Sequence, residues 1–379
     1  MAAGHRSALS NSYPHFNRSP CKRLRSSPAF FISDALDRHG AARSIGAMPD
    51  SSRPKRPRVI VTRQLMPHVE GRMAELFDVS LSARDEAFTR DQLKAAVADC
   101  DVFVPTVTDE IDADIINSAG DRLKLIANFG AGVDHIDLAA ARAKGIMVSN
   151  TPGVFTEDTA DMTMALILSV PRRLAEGEKL MRSGQWAGWA PSAMLGHRVG
   201  GKLLGIIGMG RIGLAVARRA RAFGLSIHYH NRRRLPEAIE EELGASYHAS
   251  VDTLLRISDV VTIHCPHTSE THEMVNAARI GAMKPTAYLI NTARGEIVDE
   301  KALVAALQTG RIAGAGLDVY THEPAVDPAL LALDNVVLLP HLGSATIEGR
   351  EASGEKVIAN IRAWCDGHRP PDQVLEGWA

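Results

Sequence analysis

Three short stretches of this chain combine residue types that can handle anions. The first is GMGRIG, residues 208–213, which fits G-x-G-x-x-G. Alone the pattern says little. Here it follows an apolar run, LLGII, and opens a helical one, RIGLAVARRARAFG. That is the strand–turn–helix context in which a dinucleotide binds. Gly208 permits the tight turn, Gly210 lets the backbone approach a pyrophosphate, and Gly213 lets helix and strand pack closely. Arg211 and Ile212 open the helix, whose free N–H groups and positive dipole end suit phosphates. The second stretch, HYHNRRR, ends the next apolar run. NAD binders place Asp or Glu there, about 20 residues on, for the ribose 2′-hydroxyl. This chain has Asn231, Arg232, Arg233 and Arg234, and its first acid is Glu237. Arginines attract a 2′-phosphate that a carboxylate would repel. NADP(H) is therefore favoured, with NAD(H) possible and a solvated basic loop as the alternative. The third stretch is NTARGEIVDEKAL, residues 291–303. An apolar run, AYLI, leads through Asn291 and Thr292 to Arg294, beside Gly295. A guanidinium at a strand's end can bind a carboxylate through two parallel hydrogen bonds. It can equally be a solvated charge in a turn.

The elements that must carry these residues alternate from residue 58 onward. RVIVTRQL reads as a strand, PHVEGRMAELF and DQLKAAVADC as helices, and DVFVP as a short buried strand. LKLIANFG and IMVSNTP follow as strands, with LAAARAKG a helix between them. Short apolar runs bounded by Gly and Pro, alternating with helices, indicate a parallel sheet covered on both faces. A long helical stretch, about residues 156–183, interrupts the series. Six further strands are expected: LLGIIG, LSIHYH, VVTIHC, AYLINT, IAGAGLDV and VVLLP. With their helices they match one doubly wound domain. A last helix, about residues 344–366, is too little for a third domain and is expected to pack back on the first. The expected fold is α/β, with two Rossmann-like domains built on parallel sheets. The first, flavodoxin-like, domain is discontinuous (58–155 and 340–379), and the dinucleotide-binding domain spans 156–339.

The bulk composition fits this reading. At 379 residues, 45% hydrophobic and 23% charged, the chain has material for two cores. Its net charge of −1 gives no basic field for nucleic acid. No apolar run approaches the roughly 20 residues that span a membrane. Cys21, Cys100, Cys265 and Cys365 are widely spaced without a CxxC, so neither a metal site nor a disulfide framework is expected. This fits a reducing compartment, and a cytoplasmic setting is expected. Residues 1–57 differ from the rest: ten Lys or Arg against three Asp or Glu, ten serines and six prolines, without apolar periodicity. They read as a disordered extension. The first 33 residues lack any acid, as a transit peptide does, but no amphipathic helix is evident, and Met48 is an alternative start.

The ordered series FGAGVD, GMGRIG, NTARGEIVDEKAL, GAGLDVYTHEP and LLPHLGSAT resembles the D-2-hydroxyacid dehydrogenases over about residues 58–379. Within that family it is most similar to glyoxylate/hydroxypyruvate reductases. The resemblance implies two domains with the active site in the cleft between them, usually in a homodimer, and a small 2-oxo or 2-hydroxy acid as substrate. It implies that Arg294 holds the substrate's carboxylate and carbonyl, that His341 protonates the carbonyl oxygen, and that Glu323 pairs with His341. Ala131 and Gly132 match the loop whose N–H groups meet the substrate carboxylate. Asp318 matches an aspartate beside the nicotinamide, and Cys265, Pro266, Thr292 and Gly343 fall among the implied cofactor contacts. In RSGQWAGWAP, Trp189 matches an indole that reaches the partner's active site; the alternative is that Trp186 and Trp189 are plain interface anchors.

The residue types suit such a reaction on their own terms. Reducing a 2-oxo acid needs a hydride and a proton for the developing alkoxide. A histidine can give that proton near neutral pH, and a carboxylate beside it favours the imidazolium. The alternatives are another enzyme of the family, D-lactate-type or phosphoglycerate dehydrogenase, or a dinucleotide-sensing co-repressor. Glu323 speaks against formate dehydrogenase, which lacks that acid. The long phosphoglycerate forms carry a C-terminal regulatory domain, which is not expected here.

Overall fold

The computed structural model describes residues 56–375, so the expected extension 1–57 lies, apart from Arg56 and Pro57, outside the described residues. Two parallel sheets organise the chain. The first is made of β1 (Arg58–Val61), β2 (Asp78–Ser80), β3 (Val102–Val104), β4 (Leu125–Ala127) and β5 (Met147–Ser149), in the order β2-β1-β3-β4-β5. The second holds β6 (Leu203–Ile207), β7 (Ser226–His230), β8 (Ser246–Tyr247), β9 (Val260–Ile263), β10 (Tyr288–Asn291), β11 (Gly314–Leu317) and β12 (Val336–Leu338). Its order is β12-β11-β10-β9-β6-β7-β8. Counted from β6, the first six strands run 3-2-1-4-5-6, the doubly wound dinucleotide order, while the first sheet follows the flavodoxin-like 2-1-3-4-5.

The α/β class and parallel sheets agree with the sequence reading, but the element list needs correction. Two strands, β2 and β8, were not expected. Each is an edge strand of two or three residues and none of their residues is fully buried, so neither writes an apolar run. The long helix breaks in two, Thr156–Ser169 and Leu174–Arg182. Pro171 stands at the break, where its ring excludes a continuing turn, and Arg173 enters the second helix with a left-handed φ of 54°. Central strands β3, β4, β9, β10 and β11 are buried along their whole length, as two covered faces require.

The end of the chain returns to the first sheet. Helix Ile347–Cys365 places Val357, Ile358 and Ile361 in a buried cluster with Val59, Val61, Val102 and Leu125. Ser353 Oγ meets Thr151 Oγ1 at 3.0 Å, and Gln373 bridges to Ser149. The second sheet has a buried cluster on each face, one including Leu254, Val261 and Leu289, the other Leu204, Ile206 and Ile290.

Candidate active site

β10, β11 and β12 are neighbours, and the candidate catalytic residues follow their carboxyl ends in turn: Arg294 after β10, Glu323 after β11, His341 after β12. Open parallel sheets build their ligand crevices there. His341 Nδ1 lies 2.8 Å from Glu323 Oε2. The second carboxylate oxygen of Glu323 accepts from the Tyr320 N–H at 3.0 Å, which fixes its plane. Burial raises the Glu323 pKa, but the bond to His341, that ring's charge and the Tyr320 N–H outweigh it and hold the group below the ordinary glutamate range. Glu323 is therefore an anion throughout the neutral range. With Nδ1 turned to this carboxylate, Nε2 is the nitrogen left for a ligand.

His341 has a φ of 57°, uncommon for a residue with a Cβ, although His visits this region more than most. Asp318 holds the segment. It is buried, and its two oxygens accept the N–H groups of Leu342 and Gly343, each at 2.7 Å. Burial lifts its pKa above the usual aspartate value despite those bonds. Gly343 O in turn accepts from Thr159 Oγ1 at 3.0 Å. Asp318 and Gly343, expected at the cofactor, thus meet each other behind the histidine. Thr292 is buried as well, its hydroxyl 2.9 Å from Thr163 Oγ1.

Arg294 sits in a turn shaped by Asn291, whose Nδ2 donates to Arg294 O at 2.8 Å and whose Oδ1 accepts from Ala293 N at 3.0 Å. Its guanidinium is mostly buried and engages Asp134, which follows β4 in the other sheet: Nε to Oδ2 at 2.9 Å and Nη2 to Oδ1 at 3.0 Å. Burial would lower the pKa of Arg294, but the bond to Asp134 more than offsets it. Asp134 is likewise pushed up by burial and then held below its ordinary value by Arg294. The charges of Arg294 and Glu323 act on one another. Sequence reasoning missed Asp134. It stands inside the quoted FGAGVD, but nothing in the sequence ties it to an arginine 160 positions away.

The loop 129–136 is pinned at several points. Asn128 Nδ2 donates to Gly130 O at 3.1 Å and to Gly132 O at 2.8 Å. Asn150 Nδ2 donates to Ala131 O at 2.7 Å. Asn128 Oδ1 faces His135 Nε2 at 3.0 Å. Burial drives the His135 pKa down to about 4, so the ring is neutral at pH 7 and Nε2–H is the donor. A Cβ on Gly132 would overlap Arg294 Nη2, so any larger residue there would displace the guanidinium.

The glycine loop joins β6 to helix Arg211–Ala222. Gly208 has φ 92°, and a Cβ there would fall 2.5 Å from Cys265 N, in the segment after β9. Loop and Cys265 therefore touch at the point where the strand order reverses. Gly210 caps the helix without a side-chain hydrogen bond, and the space its Cβ would take is open. The first N–H groups of the helix, at Arg211, Ile212 and Gly213, have no partner within it. Open space before bare donors fits a pyrophosphate. Cys265 is half-buried, and burial pushes its thiol up to about 11. Pro266 O accepts from Thr271 Oγ1 at 2.7 Å.

Asn231 follows β7 and its Oδ1 accepts from Met209 N at 2.6 Å, so it holds the loop's shape. Arg232 is exposed, 3.9 Å from Glu270, and Arg233 makes no ion pair among the described residues. Arg234 is committed elsewhere, bidentate to the buried carboxylate of Glu240. The basic run thus reduces to two available cations. Trp189 is 83% exposed and carries no hydrogen bond or ring stacking to the trio. Among the described residues no helix is long and apolar enough to cross a membrane.

Known proteins are similar to this chain in sequence and fold. Residues 164–343 match the family described as D-isomer specific 2-hydroxyacid dehydrogenase, NAD binding domain. A glyoxylate reductase from Thermococcus litoralis is 45% identical over 323 residues, 84% of this chain and 97% of that protein. An NADPH-dependent glyoxylate/hydroxypyruvate reductase from Sinorhizobium meliloti, solved with NADP and malonate, superposes with a TM-score of 0.76. It is 38% identical, and the match covers 85% of this chain and 98% of that one. A Thermus thermophilus protein superposes at 0.78 with 44% identity, over 84% of this chain and 99% of that one.

Proposed function

We infer the following from the premise that this chain belongs to the D-isomer specific 2-hydroxyacid dehydrogenase family and reduces a 2-oxo acid with a nicotinamide dinucleotide. Its substrates are glyoxylate and hydroxypyruvate, its preferred donor is NADPH, and Arg294, Glu323 and His341 carry the chemistry. The observation that carries this reading is the 2.8 Å contact of His341 with the anionic Glu323, on the strand next to the one that delivers Arg294.

Bound at the Gly208–Gly213 loop, the cofactor supplies a hydride to the substrate's carbonyl carbon. The chain's own residues do the rest. Arg294 binds the planar carboxylate by a fork of N–H groups and draws charge toward the carbonyl oxygen. His341 gives the Nε2 proton to that oxygen as it becomes an alkoxide. Glu323 stabilises the imidazolium and fixes its plane. Asp318 holds the left-handed backbone that aims the ring. The N–H groups of Ala131 and Gly132, on the pinned loop, meet the substrate carboxylate from the first sheet. Residues of 58–155 and 340–379 bring the Ala131–Gly132 loop and His341 to the substrate, and 156–339 brings the dinucleotide loop together with Arg294 and Glu323.

Three finer features complete the reading. Exposed Arg232 and Arg233 support NADPH over NADH. The segment 174–195 exposes Leu174, Met181, Trp186, Trp189 and Leu195, and such exposed apolar side chains support a second copy of the chain as their cover. Free Cys100, Cys265 and Cys365 support a cytoplasmic setting. The test is a steady-state assay with glyoxylate, hydroxypyruvate, pyruvate and 2-oxoglutarate, each with NADPH and with NADH. The first two with NADPH should give the highest kcat/KM; a preference for any other pair contradicts the assignment. Mass photometry should read twice the chain mass, and Trp189→Ala should shift it toward the monomer.

A further inference from the structure

We propose that Asp134 is a positioning residue for Arg294: it occupies one edge of the guanidinium so that the other edge faces the substrate. The proposal rests on the reading of Arg294 as the substrate's carboxylate binder. A guanidinium has five N–H donors in a fixed plane. Asp134 takes the Nε–H and one Nη2–H, at 2.9 and 3.0 Å. The carbonyl of Ala293 takes one Nη1–H at 2.7 Å. Two hydrogens remain, one on each terminal nitrogen. They lie parallel on the outer edge, the spacing that a carboxylate matches. The three occupied donors leave the side chain no freedom to turn that edge elsewhere.

Asp134 can do this because its own loop is fixed. The carbonyls of Gly130, Ala131 and Gly132 are each held by an asparagine amide, and Asn128 is held in turn by the neutral His135. Gly132 leaves the gap that Arg294 Nη2 fills. The pair also crosses from the first sheet to the second, so each lobe sets the other's part of the site. The opposite role, in which Asp134 competes with substrate for the guanidinium, would need the two carboxylates to share an edge. The donor geometry gives them different edges.

The test compares Asp134→Asn, Arg294→Lys and the double variant with the wild type, using glyoxylate and NADPH. Asp134→Asn keeps the size but turns an amide donor toward the guanidinium. Its KM for glyoxylate should rise about 10- to 100-fold, the scale of one lost charged hydrogen bond. The Kd for NADPH, read by quenching of tryptophan fluorescence, should stay within about twofold. In the double variant the two effects on KM should be far from additive, because they act through one contact. Gly132→Ala, which crowds the guanidinium without altering any charge, should raise KM in the same way and guards against misfolding of the first variant. An unchanged or lowered KM in Asp134→Asn and Gly132→Ala overturns the proposal, a lowered one by showing competition. A rise that simply adds to that of Arg294→Lys also overturns it. If Arg294→Lys alone leaves KM unchanged, the reading of Arg294 fails first, and the proposal falls with it.

Discussion

Replacing Arg232 or Arg233 with alanine should weaken NADPH and leave NADH alone. Arg234 does not count toward the 2′-phosphate, since its fork is spent on Glu240. Arg232 is the freer of the two counted: its side chain is 87% exposed and its nearest acid, Glu270, is 3.9 Å away. A net hydrogen bond to a charged group contributes about 1.5–3 kcal/mol, and an exposed ion pair about 0.2–1 kcal/mol. Side chains this open to solvent fall between, at roughly 1–2 kcal/mol each, or about 5- to 30-fold in KM. The assay is kcat/KM with each dinucleotide at saturating glyoxylate, repeated from low to high salt. The NADPH/NADH ratio should drop by that factor in each variant. KM for NADPH in the wild type should climb with ionic strength more steeply than KM for NADH, as screening of exposed charges requires. Arg234→Ala is the control. It strands the buried Glu240 and should lower the melting temperature without moving the ratio. A ratio unchanged in both Arg232→Ala and Arg233→Ala would refute the reasoning and make the arginines ordinary surface charges.

Glu323→Gln keeps the shape but removes the negative charge from the 2.8 Å contact with His341. Turnover at pH 7.5 should fall about 10- to 100-fold, with KM for glyoxylate changing much less, as stopped-flow and steady-state rates would show. The buried, neutral His135 gives a pH dependence of stability. Its folded pKa is depressed to about 4, so between roughly pH 6.5 and 4 the unfolded chain binds a proton that the folded chain does not. Stability should therefore decline as the pH falls through that window, and His135→Gln should flatten the decline measured by chemical denaturation at pH 7 and pH 5.

The sequence carried most of the cofactor loop because that loop is local. Gly208, Gly210 and Gly213 lie within six residues, and their roles follow from backbone geometry written in the spacing. The trio came from the family resemblance of its motifs, because an arginine, a glutamate or a histidine after an apolar run has no role written in it; that the three runs are adjacent strands is a property of the fold. Asp318 shows where local reading stops. Its position after β11 was evident, but not that both its oxygens would be taken by the N–H groups of Leu342 and Gly343, behind a histidine in a left-handed conformation. Asn231 was placed at the cofactor by its position, and that its side chain also shapes the glycine loop through Met209 was not legible. Arg234 looked equivalent to its two neighbours until Glu240 folded over it. The pairing of Asp134 with Arg294 joins two sheets, and no periodicity in either segment announces it. The short edge strands β2 and β8 were missed because edge strands need not be apolar.

The central claim is that His341 gives the proton, and the most direct test is the turnover of His341→Ala with NADPH and glyoxylate both saturating. General acid catalysis contributes about 10²- to 10⁴-fold, so turnover should fall by at least about 100-fold while the Kd for NADPH, read by fluorescence quenching, stays near the wild-type value. A turnover within a few-fold of wild type would contradict the account, whatever the variant's effect on binding.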